Sequence, residues 1–386
     1  MMRKHNIHII IALAFSLLNF SCEKHLSSEE EPSQWPVFNG YMQFSTNVTT
    51  KAALATDMHE KSFGVLGYQY ATTTNWATAK ALAKPSTFYN QEVSCASNGV
   101  CSYDINESEA GAQLKLWEEY LYTFFAYQPH DGKGITLSGK EAVNTPTLTY
   151  KYGWLNANGS VPNTTVNAYD NANIFDLMTA EAIDVNGSGT GAVDLEFKHR
   201  LFAVEVVANN FNENEEGTTS ARQTINNLKL AISGLQNTEM TIPISMQSGE
   251  ANPIYKEGNL DTVTFQISNK EVLLPAFNET ITDEATGETR GAGVGSSISR
   301  LGSDKGGYLM FIPQTKGLTF EFDWDELASI KENNQGSQLQ TSFESSMEFK
   351  AGLLYQIIIN FVGDGITIAI IEAGSWDQHS VYHTFE

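Results

Sequence analysis

The run Tyr355-Gln356-Ile357-Ile358-Ile359-Asn360-Phe361-Val362-Gly363-Asp364-Gly365-Ile366-Thr367-Ile368-Ala369-Ile370-Ile371 decides the fold class. Tyr355, Ile357, Ile359 and Phe361 share one face of an extended chain, and Ile366, Ile368 and Ile370 resume the alternation after Asp364-Gly365. Strand side chains point to opposite faces in turn, so period two predicts two strands. Asp-Gly readily adopts the positive φ values of a tight hairpin turn, which joins them. Working outward, the same alternation recurs. Phe320, Phe322 and Trp324 alternate with Glu321 and Asp323, while Val263, Phe265 and Ile267 alternate with Thr264 and Gln266. Leu228, Leu230 and Ile232 continue it, as do Val37 to Val48, Phe63 to Tyr70 and Leu121 to Tyr127 in the first half. Helical signals are confined to Asn75 to Lys84, which ends before Pro85, and Asp325 to Glu332. Neither is long enough to organise a fold. The chain is expected to be all-β, with antiparallel β-sandwiches as its architecture.

At 386 residues the chain exceeds what one hydrophobic core usually serves, so two domains in tandem are expected. The stretch Asp184 to Asp194 (Asp-Val-Asn-Gly-Ser-Gly-Thr-Gly-Ala-Val-Asp) reads as a flexible breaker. The boundary is therefore placed between 193 and 194, giving domains 36–193 and 194–386. Glu213–Ser220 and Thr282–Ser299 read as long polar loops. A formal charge of −22, from 45 acidic and 23 basic residues, repels nucleic-acid backbones and anionic lipid headgroups. Neither is an expected partner.

The N-terminus predicts where the protein works. Arg3 and Lys4 precede an apolar run from Ile7 to Phe20, shorter than the ~20 residues a membrane-spanning helix needs. Small Ser21 then precedes Cys22, as at the cleavage site of a secretory signal peptide. Residues 1–21 are expected to be the signal, with Cys22 acylated to anchor the mature chain in the outer membrane. Residues 22–35, with Glu29, Glu30 and Glu31, read as an acidic tether. The remaining cysteines, Cys95 and Cys101, are an even pair in an oxidising compartment. They flank Ser97-Asn98-Gly99, a natural hairpin loop that sets them opposite each other, so a disulfide is expected.

Candidate chemistry is sparse. Asp184, Asn186 and Gly189 echo the start of a calcium loop, but Leu195 stands where the closing glutamate belongs. Asp377, His379 and His383 have metal-like spacing only on a helix, in a short terminal stretch. The Gly291 to Ser296 run lacks the strand and helix that a phosphate-binding loop joins. No strained-turn nucleophile and no clustered histidines appear. No enzyme activity, metal or cofactor is expected. Trp76, Trp154, Tyr150, Tyr152 and Tyr169 lie in loop-like surroundings, where single aromatics more often plug the ends of a sandwich; exposed, they would stack on sugars or fit a partner protein. They carry the alternative reading, a glycan-binding surface lipoprotein of a polysaccharide-uptake system.

Five ordered segments resemble the fimbrillin family, the lipoprotein-derived pilus subunits of Bacteroidetes. They are Lys51-Ala52-Ala53 with Phe63 to Tyr68; Tyr122 to Pro129; Phe197-Lys198-His199-Arg200-Leu201 leading into Phe202 to Val206; Phe311-Ile312-Pro313-Gln314; and Tyr355 to Ile371 closing with Trp376. The resemblance covers nearly all the mature chain. It implies two transthyretin-like sandwich domains and a cell-surface fimbrial subunit or adhesin component. It also implies other fimbrial subunits as partners, joined by strand donation, with a host or bacterial receptor or glycan as a further partner. His199 has no catalytic role there and reads as a satisfied polar residue at a sheet edge. In the family an arginine-specific protease typically removes the N-terminal strand. This chain has no arginine between Cys22 and Arg200. Lys51, or Lys61 after it, stands at the expected maturation position, and an uncut subunit would serve as an anchor or accessory. The first strand, Val37 to Val48, is expected to seat Phe38, Gly40, Met42 and Phe44 in the core of the first domain.

Overall fold

The computed structural model describes residues 42–48, 61–96, 101–103, 115–139, 146–168, 172–188, 192–210, 223–243, 253–258, 260–267, 272–274, 281–282, 289–290, 296–297, 308–315, 317–326, 338–362 and 365–375. They fall within one compact unit, Met42–Glu386. A closed barrel runs through β1 (Phe44–Val48), β10 (Val193–His199), β9 (Met178–Asn186), β5 (Leu121–Gln128), β2 (Ser62–Tyr70), β3 (Phe88–Cys95) and β4 (Cys101–Ser102), and so back to β1. A five-stranded sheet holds β19 (Ser296–Ser297), β11 (Phe202–Asn210), β23 (Leu353–Val362) and β24 (Gly365–Ser375), with β20 (Leu309–Phe311) also on β11. A six-stranded sheet orders β22 (Gln338–Glu344), β21 (Thr319–Glu326), β12 (Gln223–Ser233), β15 (Val263–Gln266) and β8 (Val166–Asn167), with β16 (Val272–Leu274) on β12. A four-stranded sheet follows the order β14 (Ile254–Glu257), β13 (Asn237–Pro243), β7 (Thr147–Lys151) and β6 (Ile135–Ser138). The short strands β17 (Ile281–Thr282) and β18 (Thr289–Arg290) pair with each other. No helix among the described residues is long and apolar enough to cross a membrane.

The expected all-β class is what the chain adopts. β23 and β24 form the terminal hairpin, paired from Leu353↔Ser375 to Val362↔Gly365 with one register shift between Leu354 and Tyr355. Leu228, Leu230 and Ile232 are fully buried on β12, where Leu230 lies between Phe322 of β21 and Phe265 of β15.

Two cores result. The smaller fills the barrel and gathers Met42, Phe44, Phe63, Val65, Phe88 and Phe124. The larger gathers Leu66, Tyr68 and Phe125 with the hydrophobic faces of β11, β12, β21 and β23. β2 and β5 serve both, because alternate residues enter opposite cores. Tyr122, Phe124 and Ala126 face the barrel interior, while Phe125 and Tyr127 face the larger core. A strand buried on both faces reads as a continuous apolar run, and Leu-Tyr-Thr-Phe-Phe-Ala-Tyr of β5 does so. Gly64 on β2 makes room for the ring of Tyr127, which a Cβ there would strike.

Several expectations are corrected. The sheets are not purely antiparallel: β1 runs parallel to β10, β11 to β23 and β15 to β8. A tight hairpin dictates antiparallel pairing, but strands distant in sequence are under no such constraint. The helix expected over Asn75 to Lys84 shrinks to α1 (Trp76–Ala79). Asn75 caps it, its side-chain oxygen accepting the Thr78 N–H at 3.1 Å. Asp325 and Glu326 are not helical but end β21. The supposed breaker is strand at both ends, since β9 runs to Asn186 and β10 starts at Val193. Its first aspartate is fixed: the Asp184 carboxylate accepts the Tyr70 hydroxyl at 2.5 Å and the Trp76 N–H at 2.7 Å.

The chain changes sheets a few residues after 193/194. β10 stays in the barrel beside β1 and β9, and the change falls at Arg200–Leu201, before β11 opens the next sheet. Conversely, β7 and β8 precede residue 193 yet pair with β13 and β15 beyond it.

Candidate functional site: the slot filled by the first strand

β1 completes the barrel from a position far away in sequence. Its backbone pairs with β10 over five residues, from Phe44↔Val193 to Val48↔Phe197. On its other side it meets β4 at the single pair Phe44↔Cys101. Outside the ladder, the Val193 N–H donates to the Gln43 carbonyl at 2.8 Å and the Met42 N–H to the Lys115 carbonyl at 2.7 Å. The side chains of Met42 and Phe44 are 2% exposed.

Phe44 is the anchor. Its ring lies edge-on to Phe124 at 5.6 Å, Phe88 at 5.9 Å, Tyr103 at 6.2 Å and Phe63 at 6.4 Å between centroids. Such packing adds to area burial about 0.5–1.5 kcal/mol per aromatic pair. Without β1 the barrel would show an apolar slot between β10 and β4, floored by these rings. An unpaired ladder on β10 would face the gap, and exposed strand edges are templates for another strand. The geometry suits an extended segment that places an apolar side chain at the Phe44 position, as β1 itself does.

The expected placement of Met42 and Phe44 agrees with this geometry, while Phe38 and Gly40 lie outside the described residues. So do Cys22 and Lys51. Lys61 lies next to the first residue of β2, half-buried, and its carbonyl accepts the Cys95 N–H at 2.9 Å. Cys95 and Cys101 form a disulfide, both residues buried in the barrel core. The structure thus brings the cysteine pair against β1, with Thr46 Oγ1 3.8 Å from Cys101 Sγ. Sequence reading found both features without connecting them, and it missed Val193 to Phe197 as the partner of β1. Alternation marks those residues as strand and carries no sign of their neighbour.

The sugar-stacking reading loses its platform. Trp76 is fully buried against Tyr68 and Phe125, at 4.9 and 5.6 Å between centroids. Trp154, Tyr150 and Tyr152 are also buried, and Tyr150 stands on β7 rather than in a loop; Tyr169 lies outside the described residues. Burial pushes the phenol pKa values of Tyr150 and Tyr152 well above their ordinary value. These rings build the larger core.

His199 ends β10, paired with Met178 of β9 beyond the last β1 pair at Phe197, and its Nδ1 lies 2.5 Å from the Asp176 carboxylate, as expected of a satisfied polar residue. Among the described residues no group of three His, Cys, Asp or Glu side chains is placed to hold a metal ion. Gln314, from the Ile312-Pro313-Gln314 segment, is a buried polar side chain with several hydrogen bonds. Its Oε1 accepts the N–H groups of Gln236 and Asn237 at 2.9 and 3.0 Å, and its Nε2 donates to the Ile312 carbonyl at 2.8 Å. Asn237 Nδ2 returns a bond to the Pro313 carbonyl at 2.6 Å.

A family model described as fimbrillin-like matches residues 50–376. Among solved structures, a fimbrial protein from Bacteroides vulgatus superposes with a TM-score of 0.51 at 18% identity, covering 87% of this chain and 99% of that one. A candidate cell adhesion protein from Bacteroides ovatus gives 0.46 at 16% identity, covering 87% and 96%. One from Bacteroides uniformis gives 0.44 at 14%, covering 88% and 99%. The first of these supports the shared fold. No curated protein sequence matches this one.

Proposed function

The chain belongs to the fimbrillin-like family, and from that premise we propose that it is a subunit of a cell-surface fimbrium that assembles by strand exchange at the barrel slot. The observation that carries this reading is the attachment of β1: a five-residue ladder on one side, a single pair on the other, and Phe44 in an aromatic cage. A strand held in this way is separable from the barrel that it completes. Its removal bares Phe63, Phe88 and Phe124, and a strand from a second subunit restores both the ladder and the buried anchor. The precursor is exported, acylated at Cys22 and held at the outer membrane until maturation. It performs no catalysis.

Lys51 suits a maturation cut better than Lys61. The Lys61 carbonyl is already engaged by the Cys95 N–H, whereas a protease needs the scissile peptide extended and free. Trypsin applied to the soluble chain beginning at Ser33, followed by intact mass and size-exclusion analysis, tests the proposal. Cleavage after Lys51 with loss of the N-terminal fragment and formation of multimers is the expected result. A cut product that remains monomeric and keeps its β1 fragment would instead assign a permanently capped anchor or accessory role.

A further inference from the structure

The side of β1 away from β10 is closed by little backbone. β4 is a strand of two residues, joined to β3 by Ser94↔Ser102 and Cys95↔Cys101 and to β1 by Phe44↔Cys101. So short a strand has little stability of its own. Yet it carries the cover of the slot. Tyr103, immediately after it, packs against Phe44 at 6.2 Å and Phe88 at 5.2 Å, and its hydroxyl accepts the Lys115 N–H at 3.1 Å. Lys115 in turn holds Met42, its carbonyl accepting the Met42 N–H at 2.7 Å. The covalent element in this chain of contacts is the Cys95–Cys101 disulfide. Its position matters more than its general effect, because a bond closing six residues constrains the unfolded chain only slightly.

We propose that the Cys95–Cys101 disulfide is the clasp of the slot: by pinning β4 and Tyr103 over Phe44 it controls how readily β1 leaves and another strand enters. With the bond closed, β1 departs only by breaking the β10 ladder and lifting Phe44 past a fixed wall. With the bond open, β4 and Tyr103 swing away from β3 and the seam of the barrel parts first. The inference rests on the reading of β1 as an exchangeable strand and adds a control to it.

Amide hydrogen exchange on the uncleaved chain from Ser33 tests this clasp. In Cys95→Ser/Cys101→Ser, exchange across residues 42–48 is expected to rise ~10-fold or more while β23 and β24 keep their protection. Should that variant fold poorly, the same measurement is made on wild-type protein opened by a dithiol, which reduces the bond to two thiols while closing to its own cyclic disulfide. Alkylation mass confirms the opening. Unchanged exchange at 42–48 overturns the clasp, and so does an equal rise in β23 and β24, which would mark the bond as a general stabiliser. Multimer formation after cleavage is scored separately. Faster exchange at 42–48 with cleaved protein that stays monomeric keeps the clasp and removes the fimbrial assembly reading. Unchanged exchange with normal multimers does the reverse.

Discussion

The two cores are built from the same kinds of side chain, yet they are sealed in opposite ways. The larger core is closed by strands that hold one another along long ladders: β23 and β24 pair through a hairpin, and β12 is flanked by β15 and β21. Gln314 and Asn237 then tie β13 to the Ile312-Pro313-Gln314 segment with buried hydrogen bonds. The barrel core is closed by β1, which comes from 148 residues before the β10 backbone it meets, as the Ser45–Val193 contact shows. Along one margin β1 has a single paired residue and a disulfide-bonded hairpin beside it. A core sealed by one thinly attached element can lose that element as a unit, whereas an interlocked core opens only with the whole sheet. On the proposal of strand exchange, the weak seal is the functional one.

The strongest challenge to this contrast is Phe44→Ala. It removes the ring from the Phe63, Phe88, Tyr103 and Phe124 cage, and large-to-small changes of this kind cost about 3–5 kcal/mol. Urea unfolding monitored together with hydrogen exchange should find the loss concentrated in residues 42–48 and the barrel. An equal loss of protection in β23 and β24 would show instead that the two cores behave as one cooperative body. Gln314→Leu sharpens the comparison from the other side. It strands the N–H of buried Asn237, at a cost of roughly 1–3 kcal/mol, and that of half-buried Gln236, at less. Global stability is expected to fall with no quickening of β1 exchange. The smallest effect is expected from Lys256→Ala. Its ammonium lies 3.9 Å from Glu239 on an exposed side chain, and Lys151, at 3.1 Å, remains to pair with the same carboxylate. Thermal unfolding should shift by less than ~1 kcal/mol equivalent.

Much of the fold was legible because its signals are local. Alternation identified β2, β5, β12, β15 and β21, and Asp364-Gly365 identified the hairpin. Cys95 and Cys101 were readable as a pair because three turn-forming residues lie between their flanking positions. Reading failed where tertiary context overrode local preference. Asp184 resembled the start of a flexible loop, but the Tyr70 hydroxyl and Trp76 N–H hold it at the end of β9. Trp76 and Trp154, by contrast, behave as aromatics outside alternating runs more often do: they plug the larger core rather than stack on sugars, Trp154 meeting Phe265 edge-on at 5.5 Å.

The sequence alone therefore determined that this chain is built of strands, which residues of the alternating strands share a face, and where the terminal hairpin lies. These follow from the two-residue repeat of an extended backbone and the φ demands of turns, properties of a few neighbouring residues. Only the tertiary structure decided that β1 lies parallel to β10, that Tyr103 covers Phe44 and that the disulfide borders the slot. Backbone hydrogen bonds between strands are chemically alike along their length. The choice among distant partners is made by how the side chains of the whole molecule pack, and no short stretch of sequence records that choice.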